Sequence, residues 1–317
     1  MKLFFLFLDG FGIGDQNPYT NPMVSADLPA LRYLCGGDLL FTGSEVTEGE
    51  HSVAIPADAR LGVEGIPQSA TGQAALLTGY NAPQIVGRHV NAFPTGILKK
   101  LIVEKSIFTR VLACGKKATF INAFREDSLS RIQRGTYKMS ASSAAVLGAG
   151  LSVRPASWIK LRQAIYHDIT GDILRQFGYD VPKLSAVEAG EIAAEISFNY
   201  DFSMFEFFLT DRAGHSQDMK TAIEVLERVD CFVSAVLKKL DLGSQALLIT
   251  SDHGNIEDLS VPTHTLNRVP VILYGLTRRE RLDMAARIRT IMDVNAVMTH
   301  LVCGQYRYYY GGDDLDG

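Results

Sequence analysis

Cysteine is scarce in this chain of 317 residues and lies scattered: Cys35, Cys114, Cys231 and Cys303 form no C-x-x-C pair. No disulfide framework or thiolate metal site is written into such a pattern, which predicts ordinary small core residues, reduced in a cytoplasmic setting. Positive charge is not in excess either. With 31 Lys and Arg against 35 Asp and Glu, the composition offers no footprint for a nucleic-acid backbone. Long apolar runs are also missing. The opening run at 3–8 is stopped by Asp9 and Gly10, well short of the roughly 20 residues that span a bilayer, and no small-residue cleavage site follows. The expectation is a protein with no nucleic-acid and no membrane partner; oligomeric state is not written in the sequence. What is present is a globular composition, 47% apolar and 21% charged, in a chain long enough to fold around a large core unaided.

Short apolar runs recur at 3–8, 118–121, 205–209, 246–250 and 269–274, each ending in polar or glycine-rich sequence. Continuous apolar runs of this length read as strands of a parallel sheet buried on both faces. Segments of helical period lie between them, clearest at 221–240, where Ala222, Val225, Leu226, Val229, Phe232, Val233, Val236, Leu237 and Leu240 form one stripe. The alternation predicts an α/β fold. The rhythm breaks over 126–190, which reads as a small inserted cap between core segments 1–125 and 191–310. The tail 311–317 reads as frayed.

Parallel α/β sheets place their sites beyond the carboxyl ends of their strands. Here those ends carry Asp9 in Asp9-Gly10-Phe11-Gly12, then Asp211 and His215 in Asp211-Arg212-Ala213-Gly214-His215. Asp252 and His253 follow in Asp252-His253-Gly254-Asn255, and His264 in His264-Thr265-Leu266-Asn267. Acids crowded on one edge repel unless a cation compensates them. Imidazole with carboxylate suits Zn²⁺ or Mn²⁺, and six such ligands suit two ions sharing a phosphoryl-transfer site rather than one. A nucleophile is expected where the loop from Pro67 opens into a helix. A hydroxyl there meets unpaired backbone N–H groups and the positive end of the helix dipole, and Ser69 and Thr71 both qualify.

Together, Asp9 to Gly12, Ser69 to Gln73, Asp211-x-x-Gly214-His215, Asp252 to Asn255 and His264-Thr265-x-Asn267 resemble the alkaline phosphatase superfamily. The likeness is to its metalloenzyme branch of cofactor-independent phosphoglycerate mutase and phosphopentomutase, and similarity to phosphopentomutase extends into Arg88 to Gly96. The resemblance implies an alkaline-phosphatase-like parallel-sheet sandwich core with a small inserted cap. It implies one ion held by Asp211, His215 and His264. A second would be held by Asp9, Asp252 and His253, with Ser69 beside it as nucleophile and further ligand. Two registers of the family pattern prefer Ser69, leaving Thr71 second. Gln73 stands where the family has histidine, and a formylglycine sulfatase is disfavoured because Thr71 and Gln73 replace the sulfatase Pro and Arg. Two divalent ions are implied, Mn²⁺ before Zn²⁺.

The function expected is a metal-dependent phosphatase-type enzyme that acts on a small phosphorylated metabolite through a phosphoserine. The alternatives are a phosphomutase, a phosphodiesterase or nucleotide pyrophosphatase, and a non-catalytic phospholigand-binding protein. Hydrolysis is preferred to mutase chemistry because the cap is short and rich in small residues. Arg88 and His89 are the candidate substrate contacts, with Arg125, Arg131, Arg134 and Lys138 as further positive charge above the site.

Overall fold

The structure, a computed structural model, describes residues 1–304; the tail at 311–317 and the core boundary at 310 lie outside the described residues. Among the described residues nine strands form, in chain order, β1 (Lys2–Leu8), β2 (Thr47–Glu48), β3 (Ser52–Ala57), β4 (Ala118–Phe120), β5 (Ala123–Phe124), β6 (Arg154–Pro155), β7 (Phe202–Phe207), β8 (Gln245–Thr250) and β9 (Val269–Tyr274). Seven of them make one sheet in the order β2-β3-β9-β8-β1-β7-β4, while β5 and β6 pair separately. The central strand β1 runs parallel to both β7 and β8, and β4 runs parallel to β7. Alternate side chains of β1 enter opposite layers. Phe4, Leu6 and Leu8 join one buried cluster, and Leu3, Phe5 and Phe7 join the other. Each such burial contributes about 2 kcal/mol, which is why this run is apolar without alternation.

Two expectations are corrected. The run at 269–274 does form a strand, but β9 pairs antiparallel with both β8 and β3. A parallel return would need a crossover to the far end of the sheet. The chain instead leaves β8 at the carboxyl edge, loops through 251–268 on that same edge, and enters β9 from there. The loop bearing His264 therefore stays beside Asp252. The run at 205–209 is likewise shifted. β7 ends at Phe207, and a helix Leu209–Ser216 follows at once, putting Asp211 and His215 one turn apart on it. The helical stripe at 221–240 lies in the helix Met219–Lys239, whose first turn is capped by Asp218 accepting from the Thr221 N–H at 2.8 Å.

The segment 126–190 contributes to both core layers. Ala141, Ala144 and Ala145, from the helix Ala141–Gly148, join one cluster, and Ile159, Ile165 and Leu174 join the other. The small residues of this segment are thus packed inside the fold, against the expectation that they would form a weak outer wall. Among the described residues, no helix is long and apolar enough to cross a membrane.

Candidate metal centre

Asp9 stands one residue past β1, its N–H donating to the Phe207 carbonyl at 2.9 Å. The chain then turns at Gly10, whose φ of +68° is the left-handed region; a Cβ there would lie 2.9 Å from the Asp211 Cα. Only glycine lets Asp9 and Asp211 sit this close. Thr210, beside Asp211, donates its hydroxyl to the Asp9 carbonyl. Asp252 and His253 follow β8 and are fully buried. Ser251 couples that loop to the first by accepting from the Phe11 N–H at 2.9 Å and donating to the His253 carbonyl at 2.8 Å.

These side chains converge. His253 Nε2 lies 3.4 Å from Asp9 Oδ1, 3.5 Å from Asp252 Oδ2 and 3.0 Å from Ser69 Oγ. His264 Nε2 lies 3.3 Å from Asp211 Oδ1, and His215 Nε2 lies 3.4 Å from Asp211 Oδ2. Ligand atoms about 2.1 Å from one tetrahedral ion stand about 3.4 Å apart, so these spacings are those of donors ready to share a cation. Two tight donor groups result, Asp9 with Asp252 and His253, and Asp211 with His253 and His264. The arrangement differs from the expected partition in one respect. His253 stands between the groups, its ring stacked on His264 at 3.7 Å, while His215 is half exposed at the outer side of Asp211.

Each histidine has its other nitrogen against a backbone carbonyl. Nδ1 of His264 faces the Pro67 carbonyl at 2.9 Å, that of His215 faces Pro262 at 3.0 Å, and that of His253 faces Gly254 at 3.4 Å. A carbonyl can only accept, so Nδ1 carries a proton, and in a neutral ring Nε2 is then the nitrogen whose lone pair can face a cation beside the acids. Burial pushes the Asp252 carboxyl up to about 7, reinforced by the Asp211 charge. Burial, then Asp252 and Asp211, raises Asp9 well above the carboxylate range. Burial also acts to raise Asp211, but hydrogen bonds from His264 and Asn255 and the nearby His253 outweigh it and hold that carboxyl at about 2. His253 is driven down to about 3 by burial and then by His264. Among the described residues, Asp9 Oδ1 and both carboxylate oxygens of Asp252 are buried without a hydrogen-bond partner. Orphaned buried acids are costly. Two divalent cations would satisfy these oxygens and free lone pairs, so the donor set fits them.

Ser69 opens the helix Ser69–Thr78 and is half-buried at the edge of the centre. Gly72 allows that helix to press on the metal loop, since a Cβ there would lie 2.8 Å from the Asp252 carbonyl. Gln73, in the place of the family's histidine, donates to Asp9 Oδ2 at 3.3 Å. Thr71 is fully buried and points the other way. Its hydroxyl donates to the Gln68 carbonyl at 3.1 Å and accepts from the Val90 N–H at 3.1 Å. The helix start also corrects an expectation. The Ala70 and Thr71 N–H groups are not free for an anion, because both donate to the Val90 carbonyl, at 3.1 and 3.4 Å.

A cavity of about 700 Å³ opens beside Ser69 and Asp211. Its far wall comes from Arg125 and the 126–190 segment, including Arg131, Tyr137, Lys138, Tyr166 and His167. Arg88 and His89 do not line it: Arg88 is exposed, and the His89 ring faces the Val63 carbonyl at 3.3 Å. Sequence reasoning also missed three residues. Glu257, buried, accepts from the Gly12 N–H at 3.0 Å, the Asn255 N–H at 2.7 Å, Asn267 Nδ2 at 3.1 Å and the Thr265 hydroxyl, tying the loop after β1 to both ends of the 251–268 loop. Asn255 fixes Asp211 by donating to its Oδ1 at 2.7 Å. Glu206 lines the cavity and is pushed up to about 7 by burial. A lone acid in an apolar strand run was the available signal for Glu206; for Glu257 there was none.

Comparison with known proteins bears on this geometry. Residues 172–302 match the model of the metalloenzyme superfamily. Over 130 residues the chain is 33% identical to the 2,3-bisphosphoglycerate-independent phosphoglycerate mutase of Rhodopseudomonas palustris, covering 37% of this chain and 26% of that protein. The enzyme of the same name from Ruegeria pomeroyi is 38% identical over 106 residues, covering 31% of this chain and 21% of its own length. The chain thus spans about a quarter or less of the length of these curated relatives. Among solved structures, the PH0037 protein of Pyrococcus horikoshii superposes over 98% of both chains with a TM-score of 0.59 at 15% identity, which shows a common fold. The resemblance to the metalloenzyme superfamily read from the motifs therefore holds over 172–302. That segment contains Asp211, His215, Asp252, His253 and His264; Asp9 and Ser69 lie outside it.

Proposed function

We propose that this protein is a metal-dependent phosphoryl-transfer enzyme, a phosphatase acting on a small phosphorylated metabolite through a phosphoserine at Ser69. The observation that carries the reading is the placing of Ser69 Oγ 3.0 Å from His253 Nε2, at the lip of a buried group of partnerless aspartate oxygens. Asp9, Asp252 and His253 would hold one divalent ion and Asp211, His215 and His264 the other, with His253 within reach of both. Bound there, two divalent ions supply Lewis-acid stabilisation of a phosphoryl group and lower the pKa of an adjacent hydroxyl. Mn²⁺ is our first assignment and Zn²⁺ the second, since imidazole and carboxylate suit both. The chain's own part is to position. The Val90 clamp and Gly72 fix the Ser69 helix against the loop of Asp252, Asn255 orients Asp211, and the cavity receives the leaving group beside Ser69.

Hydrolysis is favoured over mutase chemistry by the setting of the 126–190 segment. A mutase must keep water from its phosphoserine while the substrate turns. Here most of the segment, from Ala141 on, is packed into both core layers and does not form a separate lid, and the cavity rim at Asn91, Ala92, Arg131 and Lys138 is exposed. The scattered free thiols accord with a cytoplasmic enzyme. The test is a panel of phosphomonoesters turned over with Mn²⁺ and Zn²⁺ in turn, with labelled phosphate followed to its product. Release of inorganic phosphate, with label trapped on Ser69, is expected. Label passing quantitatively to an isomeric product would establish a mutase instead.

A further inference from the structure

The wall of the cavity beside Ser69 contains one acid to which the proposed reaction gives no task. No thiol lines that cavity among the described residues; Cys114 and Cys231, expected in the core, are instead exposed. The acid is Glu206, next to last in β7. Side chains of β7 alternate, Phe202 and Met204 entering one buried cluster and Phe205 and Phe207 the other, so Glu206 shares the face of the first pair. The helix Ser69–Thr78 and the helix Ala141–Gly148 pack on that same face. Glu206 is level with Phe7 on β1, two residues before Asp9, which sets it back from Asp9 by about 7 Å along the strand. Two other elements fix it there. Asn122, two residues past β4, takes the place of a strand partner: its Nδ2 donates to the Glu206 carbonyl at 2.7 Å and its Oδ1 accepts from the Glu206 N–H at 2.8 Å. The hydroxyl of Ser142, which is 1% exposed, donates to Glu206 Oε2. Burial pushes the carboxyl up to about 7 against that hydrogen bond.

A polar group placed this firmly in the wall of a largely aromatic cavity orients what enters it. The charges around it decide what that is. Arg125, Arg131 and Lys138 line the same cavity, so an ammonium group would stand among like charges, and an anion at this depth would oppose Glu206 itself. A purely apolar group would strip water from the carboxyl and leave it unpaired. A hydroxyl donates, accepts and carries no charge, while Phe124, Tyr137, Tyr166 and Phe208 offer apolar surface to the carbons that bear it. We propose that Glu206 is a specificity-determining residue, selecting phosphomonoesters whose alcohol portion carries a further hydroxyl group a few bonds from the ester oxygen. Asn122 and Ser142 are its positioning residues. The inference rests on the phosphoryl-transfer reading of the metal centre and adds to it the chemistry of the leaving group.

The experiment reads binding rather than turnover. The full chain, loaded with Mn²⁺, is titrated calorimetrically with 3,4-dihydroxybutylphosphonate, with butylphosphonate and with inorganic phosphate. The two phosphonates resist cleavage and differ only in their hydroxyl groups. Wild type should bind the diol at least about tenfold more tightly, because the plain chain leaves the Glu206 carboxyl unpaired. Glu206→Leu should bring the two phosphonates to within about twofold of each other, and Glu206→Gln, which still pairs with a hydroxyl, should keep most of the preference. Ser142→Ala, a smaller change within a helix, should reduce the preference several-fold, and it decides the matter if Glu206→Leu does not fold. Phosphate bound while wild type treats the two phosphonates alike, or a preference undiminished in the folded variants, would overturn this inference alone. Binding of neither phosphate nor phosphonate would overturn the phosphoryl-transfer reading, and this inference with it.

Discussion

Replacing Glu257 by alanine tests whether the site loops are held by one buried carboxylate. Glu257 accepts two backbone N–H groups, from Gly12 and Asn255, together with the Thr265 hydroxyl and the Asn267 amide. Glu257→Ala removes the acceptor and leaves these donors in a site where Glu257 itself is 1% exposed. Each orphaned buried donor costs about 1–3 kcal/mol, and partial relaxation or water entry recovers some of it, so a net loss of about 4 kcal/mol is expected. At about 2.1 cal/mol/K of unfolding entropy per residue, a chain this long loses about 1.5 °C per kcal/mol, which gives a Tm lower by about 6 °C. The damage should also be functional, because the loops tied together carry Asp9, Asp252 with His253, and His264. Differential scanning calorimetry with and without Mn²⁺, followed by calorimetric titration of the metal, reads both effects. Glu257→Gln, which keeps one acceptor oxygen but turns an NH₂ towards some of the donors, should fall between wild type and alanine. A Glu257→Ala protein melting within 1 °C of wild type, with unchanged metal affinity, would refute the reasoning.

Ser69→Ala should abolish phosphoenzyme formation and turnover while leaving metal stoichiometry intact; Thr71→Ala should keep turnover and lose about 2 kcal/mol of stability, since it strands the Val90 N–H. Phosphopeptide mapping and urea unfolding separate the two. Asp252→Asn removes a buried charge without a partner, so the metal-free variant should be at least as stable as wild type, and the stabilisation that added Mn²⁺ produces should largely disappear on a melting curve. Stability of the metal-free protein should fall as pH rises from about 6.5 through about 7 to 8. Asp252 and Glu206 keep protons there that the unfolded chain has already lost, and His264, raised chiefly by Asp211 against the opposing effect of burial, adds in the same direction. His253, depressed to about 3, opposes them only below the ordinary histidine range. Urea titrations in a chelator across this window, flat or rising with pH, would contradict the assignment.

Much of the site was legible because its chemistry is local. Asp9, Asp252 and His253 each follow an apolar run by one to three residues. A strand buried on both faces is apolar throughout, and its first polar residues must emerge at its end. The helix Met219–Lys239 was legible for the same kind of reason, its stripe and cap being contained in one short window. What the window could not hold was decided by packing. The direction of β9 depends on how the 251–268 loop stays on one edge, and the shift of Asp211 onto a helix depends on where β7 runs out of partners. Ser69 and Thr71 are chemically alike in sequence, and only the Val90 clamp turns one hydroxyl inward and leaves the other beside His253. Glu257 had no pattern to betray it, because its partners are Gly12, some 245 residues away, and unevenly spaced positions of its own loop. Periodicity and strand ends are properties of neighbouring residues, so the sequence alone determined them; contacts between distant segments exist only once the chain has closed around its core, so the tertiary structure alone decided which side chains share a donor group or a hydrogen bond.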